Sequence, residues 1–285
     1  MSAETRAPAG EAPPGDVFPG EAPAGWPAAL GSADAWTDDA VLNGRLRLLQ
    51  PRRGHRFGHD AVLLAAATPG RAGEQAVDLG AGVGAAGLLL AARVPGLRAS
   101  LVEIEPALAA AARENARRNG LGDRVDAVAL DVEAASDVFA AAGLSPGGVD
   151  RVLTNPPFND HRRLSASPDP ERRRAHVAAA DLAARWIAVA ARLLRPGGTL
   201  TLIHPADRLG DLLAQLDRGF GAIAVLPIHG KPGRPAIRVL VRAEKGGRAP
   251  LALWPGLVLT DAAGLPSAEA EAVLRGGATL PLAAS

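Results

Sequence analysis

The stretch Gln75-Ala76-Val77-Asp78-Leu79-Gly80-Ala81-Gly82-Val83-Gly84 joins a short apolar run to a glycine-rich turn. The segment that follows has a helical pattern, so the glycines lie at the junction between a strand and a helix. Glycines at such a junction allow a tight turn and let a ligand approach the backbone closely. The stretch therefore predicts a strand, a ligand-binding loop and a helix in succession.

Further short apolar runs follow with a spacing typical of strands, at 99–103, 125–131, 149–154, 199–204 and 222–228. Helical segments lie between several of these runs, most clearly at 108–119 and 182–194. This alternation predicts a Rossmann-like α/β fold with a doubly wound, mostly parallel sheet. A last strand at 237–242, antiparallel to its neighbour, would complete a seven-stranded sheet.

Composition divides the chain into three parts. Residues 1–36 are rich in Pro, Ala, Gly and Glu without periodicity, and predict a disordered tail. Residues 37–248 carry the strand and helix pattern and form the predicted domain. Residues 249–285 are apolar and interrupted by Pro and Gly, which indicates a small C-terminal appendage packed on that domain.

The overall charge of +1 conceals an uneven distribution, because residues 41–248 alone carry +9. This excess favours an anionic partner, although scattered arginines on helix faces often serve only solubility. The chain has no cysteine, and its six histidines lack metal-ligand spacing, so we expect neither disulfides nor a metal site. No apolar run approaches a membrane span, and we expect a cytoplasmic protein without a membrane partner.

Three acidic residues end the first three predicted strands of the sheet, at the edge that lines the ligand crevice of an open parallel sheet. They are Asp78, Glu103 and Asp131. Glu103 could accept hydrogen bonds from both ribose hydroxyls, and Asp131 could accept one from an adenine amine. The spacing of the loop and Glu103 also satisfies the dinucleotide fingerprint, so a nicotinamide or flavin enzyme stays possible on these residues alone. The alternative for Asp131 is a solvated loop residue or a helix cap.

The tetrapeptide Asn155-Pro156-Pro157-Phe158 follows the fourth predicted strand. Two prolines end the strand, and the residue before a proline is driven towards an extended backbone. This stiff corner could hold a flat, amine-bearing group between an amide oxygen, backbone carbonyls and an aromatic ring. An ordinary strand-to-loop turn is the alternative.

Together these features resemble the class I S-adenosylmethionine-dependent methyltransferases, over about residues 55–205. By that resemblance Gly80, Gly82 and Gly84 cradle the methionine part of the cofactor, and Asp78 faces its amino group. Glu103 takes the ribose and Asp131 the adenine. The tetrapeptide is similar to the N-P-P-[FY] motif of enzymes that methylate a planar nitrogen. The resemblance implies that Asn155, Pro156 and Phe158 are catalytic, with Asn155 also beside the cofactor.

The segment from Arg52 to Leu64 is similar to the one that covers the cofactor in N6-adenine and related methyltransferases, which places His59 and Asp60 near the methionine end. Asp60 could instead simply begin a helix. From Thr37 to about Arg248 the chain resembles the tRNA(Val) adenine-37 N6-methyltransferase family. One departure is that His59-Asp60 stands where that family often has Thr-Asp.

Three basic clusters, at 45–56, 162–176 and 231–248, flank the predicted site, which fits an RNA whose phosphates position a target base. The candidate nucleic-acid contacts are Arg52, Arg53, Arg162, Arg163, Arg172, Arg173, Arg174 and Lys231. We therefore expect an N-methyltransferase acting on N6 of adenine in tRNA. The alternatives are an rRNA guanine-N2 methyltransferase, a protein glutamine N5-methyltransferase, and an RNA-associated protein that binds S-adenosylmethionine without catalysis.

Overall fold

The computed structural model describes residues 16–17, 25–54, 56–157 and 170–284 of the chain. Within these ranges the side chains are described everywhere except at residues 16–17 and 170–181.

A small antiparallel sheet precedes the main domain. Its strands are β1 (Asp16–Val17), β2 (Trp36–Val41) and β3 (Leu46–Pro51), in the order β1-β2-β3. Residues 25–35, which composition assigns to the tail, contain two 3-10 turns, and Leu30 is buried. The indole Nε1–H of Trp36 donates to the carbonyl oxygen of Leu30 at 2.9 Å. The packed part of the chain thus begins upstream of residue 37, and the division into domains stays a prediction.

The main sheet has seven long strands. They are β4 (Gln75–Leu79), β5 (Arg98–Glu103), β6 (Val125–Ala129), β7 (Val149–Thr154), β8 (Leu194–Pro205), β9 (Phe220–His229) and β10 (Ala236–Lys245). They lie in the order β6-β5-β4-β7-β8-β10-β9, and β10 runs antiparallel to both of its neighbours. The predicted mostly parallel α/β sheet with an antiparallel last strand is confirmed. Two strands of two residues, β11 (Ala252–Leu253) and β12 (Leu257–Val258), pair in parallel with β9 and extend the sheet to nine strands.

Helices cover both faces of this sheet, as expected of a parallel sheet whose central strands are buried on both faces. The helices are α1 (His59–Ala67), α2 (Ala85–Arg93), α3 (Pro106–Arg118), α4 (Ser136–Ala141), α5 (Pro170–Leu193), α6 (Leu209–Leu216) and α7 (Ala268–Leu274). α1, α2, α3 and α7 contribute to one buried core, and α4, α5 and α6 contribute to the other. No helix of the described ranges is long and apolar enough to cross a membrane.

Two helix boundaries follow directly from local sequence. Pro106 occupies the first position of α3, where its fixed φ suits a helix and its missing N–H costs nothing. α5 ends at Leu193, shortly before Pro196 and Gly197, which do not continue a helix, but it begins at Pro170, well upstream of the predicted start at 182.

The C-terminal region packs into the same core as the main domain. Leu280 and Leu282 are buried with the side chains of α1 and α2. The backbone N–H of Leu280 donates to the carbonyl oxygen of Ala66 at 2.9 Å, and the Arg242 guanidinium donates to the carbonyl oxygen of Leu282 at 2.7 Å. Residues 249–284 therefore help to close one face of the sheet.

Candidate active site

The parallel strands align their carboxyl ends at one edge of the sheet, which we call the carboxyl edge. In the strand register Leu79 pairs with Val102 on one side and with Thr154 on the other. The glycine-rich loop follows Leu79, Glu103 follows Val102 and Asn155 follows Thr154, so the fold brings these groups to one edge.

The glycine-rich loop turns over the end of β4 and is held by β5. The backbone N–H groups of Gly80 and Ala81 both donate to the carbonyl oxygen of Val102 at 2.9 Å. Gly80 has a φ of +71°, and a Cβ atom at this position would lie 2.4 Å from the indole ring of Trp186 on α5. Both its conformation and its surroundings therefore require glycine. By contrast, a Cβ atom on Gly82, with φ of +57°, would meet no atom within 4 Å.

Glu103 is buried at the end of β5 and is aimed at the same loop. One carboxylate oxygen accepts the backbone N–H of Gly82 at 2.8 Å, and the other accepts the N–H of Glu105 at 3.0 Å. Each oxygen keeps a further lone pair, since a carboxylate oxygen accepts two hydrogen bonds. Glu103 can therefore shape the loop and still accept hydrogen bonds from a pair of hydroxyl groups.

Asp78 lies beneath the loop with only 2% of its surface exposed. Burial raises the pKa of this carboxyl group to about 7; the N–H of Gly87, which donates to it at 2.8 Å, opposes the shift, and the charge of Glu103 adds to it. A buried carboxylate of this kind is stabilised in its charged form by a cationic ligand group.

A buried asparagine on α3, which the sequence did not indicate, joins the glycine-rich loop to β3 of the small antiparallel sheet. Asn115 Oδ1 accepts the backbone N–H of Leu49 at 2.7 Å, and its Nδ2 donates to the carbonyl oxygens of Leu49 and Val83 at 3.0 Å each. One turn later Asn119 accepts the N–H of Arg47 at 2.9 Å and donates to its carbonyl oxygen at 2.8 Å. The available signal was two asparagines four residues apart, a spacing that puts both on one helix face.

Asp131 is exposed and lies two residues beyond the end of β6. Its Oδ1 accepts the backbone N–H of Glu133 at 2.8 Å, the pattern of an Asx turn. The structure thus brings Asp131 to the carboxyl edge in a loop, and the adenine contact stays a prediction.

His59 and Asp60 begin α1, and His59 is exposed. Asp60 does not cap the helix, because the N-cap residue is Gly58 and it has no side-chain cap. Instead Asp60 forms an ion pair with Arg238 of β10 at 3.1 Å. The cofactor role of these two residues stays a prediction. In the ligand-free protein the carboxylate of Asp60 already has a cationic partner.

The tetrapeptide corner follows β7 and is tied to β4, because the hydroxyl of Thr154 donates to the carbonyl oxygen of Leu79 at 2.9 Å. Pro156 is buried and Pro157 is exposed. Asn155 Oδ1 is buried and has no hydrogen-bond partner among the residues that the structure describes. An amide oxygen held in this way costs free energy unless a ligand supplies a donor. Phe158 lies outside the described residues.

The predicted nucleic-acid contacts are only partly described. Arg52, Arg53 and Lys231 are exposed. Arg162 and Arg163 lie outside the described residues, and Arg172, Arg173 and Arg174 lie on the part of α5 where side chains are not described.

The residues present fit S-adenosylmethionine. Asp78 offers a buried carboxylate to a cationic group, Glu103 has free lone pairs for hydroxyls, and Asn155 Oδ1 lacks a donor. Within the described ranges, no three His, Cys, Asp or Glu residues lie together in a group that could hold a metal ion.

Comparison with known proteins agrees with this geometry. The family model of the methyltransferase small domain matches residues 57–231. The tRNA1(Val) (adenine(37)-N6)-methyltransferase of Porphyromonas gingivalis is 35% identical over 164 residues, which cover 55% of this chain and 61% of that protein. The match thus spans less than two thirds of that relative's length.

Two further similarities differ in the names they carry. Ribosomal RNA small subunit methyltransferase C of Alcanivorax borkumensis is 30% identical over 182 residues, or 64% of this chain and 43% of that protein. The crystal structure of a predicted O-methyltransferase, Atu636 from Agrobacterium tumefaciens, has a TM-score of 0.65 at 27% identity, covering 78% of this chain and 98% of that one.

Proposed function

The chain belongs to the methyltransferase small domain family and is an S-adenosylmethionine-dependent methyltransferase, and we propose that it methylates N6 of an adenine in tRNA. The observation that carries the proposal is the buried Oδ1 of Asn155 at the carboxyl edge, which has no hydrogen-bond partner in the described ranges. The proposal keeps the cytoplasmic location expected from the sequence.

When bound, S-adenosylmethionine supplies the methyl group as an electrophile. The exocyclic amine of a base is a poor nucleophile, since its lone pair is delocalised into the ring. In our proposal Asn155 Oδ1 and the Pro156 carbonyl oxygen accept hydrogen bonds from the two amine hydrogens. These acceptors favour a pyramidal nitrogen and stabilise the positive charge that develops on it.

Phe158 stacks on the substrate ring in this proposal, and the corner acts mainly by alignment. Because Asn155 precedes two prolines, its backbone is restricted, which limits the directions in which its side chain can project. The proposed cofactor contacts are those of the loop glycines, Asp78, Glu103 and Asp131, with His59 and Asp60 at the methionine end.

The choice of tRNA rests on two kinds of support. The charge of +9 in residues 41–248 favours a polyanion. A relative at 35% identity carries the name of a tRNA adenine methyltransferase. A second candidate, methylation of ribosomal RNA, is favoured by the relative named for that activity.

The test incubates the protein with methyl-labelled S-adenosylmethionine and separate pools of unmodified tRNA, rRNA and release factors, followed by complete digestion. We expect label in N6-methyladenosine from tRNA. Label in N2-methylguanosine from rRNA would support the second candidate, and label only in methylglutamine would rule out both RNA substrates. Binding of cofactor and RNA without any product would identify the non-catalytic alternative.

A further inference from the structure

Arg208 is a buried arginine whose charge has no partner among the described residues. It follows β8 and is the N-cap residue of α6, with 6% of its surface exposed. Its Nη1 is enclosed and makes no hydrogen bond, and no ion pair joins Arg208 to any residue in the described part of the chain. Its Nε and Nη2 are not among the enclosed atoms, so one edge of the guanidinium keeps access to solvent.

The other buried or half-buried arginines of the described ranges have hydrogen-bond or ion-pair partners. Arg151 binds Glu74 at 2.6 Å, and Arg56 binds Asp39 at 3.0 Å. The Arg124 guanidinium donates to carbonyl oxygens, including that of Ala91 at 2.8 Å. A buried charge without a partner is strongly unfavourable, so Arg208 stands apart from the way this fold treats its other arginines.

Arg208 lies at the carboxyl edge on the side of β7 and β8, where the Asn155 corner is, and we call this the substrate side. Thr154, the residue before the Asn155 corner, pairs with Leu202 of β8, and β8 ends three residues before Arg208. His204, at the end of the same strand, is buried; burial and the charge of Arg208 lower its pKa to about 4. His204 is therefore neutral near pH 7. The buried positive charge at this point is that of Arg208, and the exposed carboxylates of Asp207 and Asp211 lie near it.

We propose that Arg208 binds a phosphate group of the RNA next to the nucleotide whose base enters the Asn155 corner. The guanidinium has a fork of N–H donors that matches two phosphate oxygens, and phosphate contacts fix the register of a bound nucleic acid. The first turn of α6 starts at Leu209, so the positive end of its dipole lies beside the same group. This inference rests on the proposed RNA substrate and adds to it a residue outside the predicted basic clusters.

The test compares Arg208→Gln and Arg208→Lys with the wild type, using the RNA that the wild type methylates. We expect Arg208→Gln to weaken RNA binding about tenfold at low salt and to reduce the slope of log K against log[salt] by about 0.7–0.9, the loss of one phosphate contact. Arg208→Lys keeps the charge, so its slope should match the wild type. The affinity for S-adenosylmethionine should stay the same in both variants.

Arg98→Gln is the matched control, because Arg98 is exposed and starts β5 at the opposite edge of the sheet. It should change the salt slope little. A methylphosphonate scan then replaces single phosphates around the methylated nucleotide. At one position the replacement should weaken RNA binding by the wild type and leave RNA binding by Arg208→Gln unchanged.

Thermal unfolding of the ligand-free protein separates a binding role from a structural one. If Arg208 serves to bind a phosphate, Arg208→Gln should unfold at the same temperature as the wild type or a few degrees higher. The reason is that the substitution removes a buried charge that has no partner in the ligand-free protein. A lower unfolding temperature with an unchanged salt slope would overturn the inference alone. If the wild type neither binds nor methylates RNA, the proposed function fails, and the inference fails with it.

Discussion

The cofactor side of the carboxyl edge, at β4 and β5, differs from the substrate side, at β7 and β8, in how its polar groups are bound. On the cofactor side Glu103 and Asn115 hold the loop through its backbone at Gly82 and Val83. On the substrate side Asn155 Oδ1 has no partner among the described residues. The first side is pre-formed for a ligand common to many enzymes, and the second depends on its substrate for completion.

The largest effect should come from the substrate side. Asn155→Ala should lower kcat about 10²–10³-fold, because a positioned acceptor for the developing charge is lost. The dissociation constant of S-adenosylmethionine should change little, as measured by calorimetry beside steady-state kinetics. Asn119→Ala, at the C-cap position of α3, is the control. An equal loss of cofactor affinity would show that the corner belongs to the cofactor site, and the comparison between the two sides would fail.

Asn115→Asp should affect stability and cofactor binding, because Asn115 lies on the cofactor side. The amide that donates to Leu49 and Val83 becomes an oxygen, which leaves two buried carbonyls facing an acceptor. We expect the free energy of unfolding to fall by about 3 kcal/mol and the KM for S-adenosylmethionine to rise. Denaturant titration and kinetics measure the two quantities. A normal KM in the folded variant would mean that Asn115 does not position the loop.

Two alanine substitutions in the loop sharpen the role of its surroundings. Gly80→Ala puts a methyl group against Trp186 at a positive φ, so it should cost about 2 kcal/mol of unfolding free energy and weaken cofactor binding. Gly82→Ala has a positive φ but open space around the added atom, and should cost about 1 kcal/mol. Equal losses in chemical denaturation would show that Trp186 does not brace the loop.

The smallest effect concerns pH. Because the pKa of Asp78 is about 7 in the ligand-free fold against an ordinary 3.8, the carboxyl group is protonated in much of the protein near neutrality. Its contribution to stability is complete below pH 3.8 and is lost as the pH rises through 7. A cationic ligand group binds the charged form. The cofactor affinity should therefore rise about tenfold from pH 6 to pH 8, with release of a proton.

Calorimetry in buffers of different ionisation enthalpy measures how many protons are released when the cofactor binds. Asp78→Asn should abolish both the pH dependence and the proton release. A cofactor affinity that is flat from pH 6 to pH 8 in the wild type would contradict the role of Asp78.

Local sequence determined the alternation of strands and helices, the glycine-rich loop and the stiff corner at Asn155. These features depend on periodicity, on positive φ at glycine and on the restriction that proline imposes, all of which act over a few residues. That is why the mostly parallel sheet and its antiparallel last strand could be predicted.

Only the tertiary structure decided which side chains are satisfied. The bonds of Asn115 to Leu49 and Val83 span 66 and 32 residues, and the ion pair of Asp60 with Arg238 spans 178. Within the part of the chain that the structure describes, Asn155 Oδ1 and Arg208 are buried without partners, and packing between distant segments creates that burial. Residue type shows what a side chain can bind, but the arrangement of its neighbours decides whether it is still available.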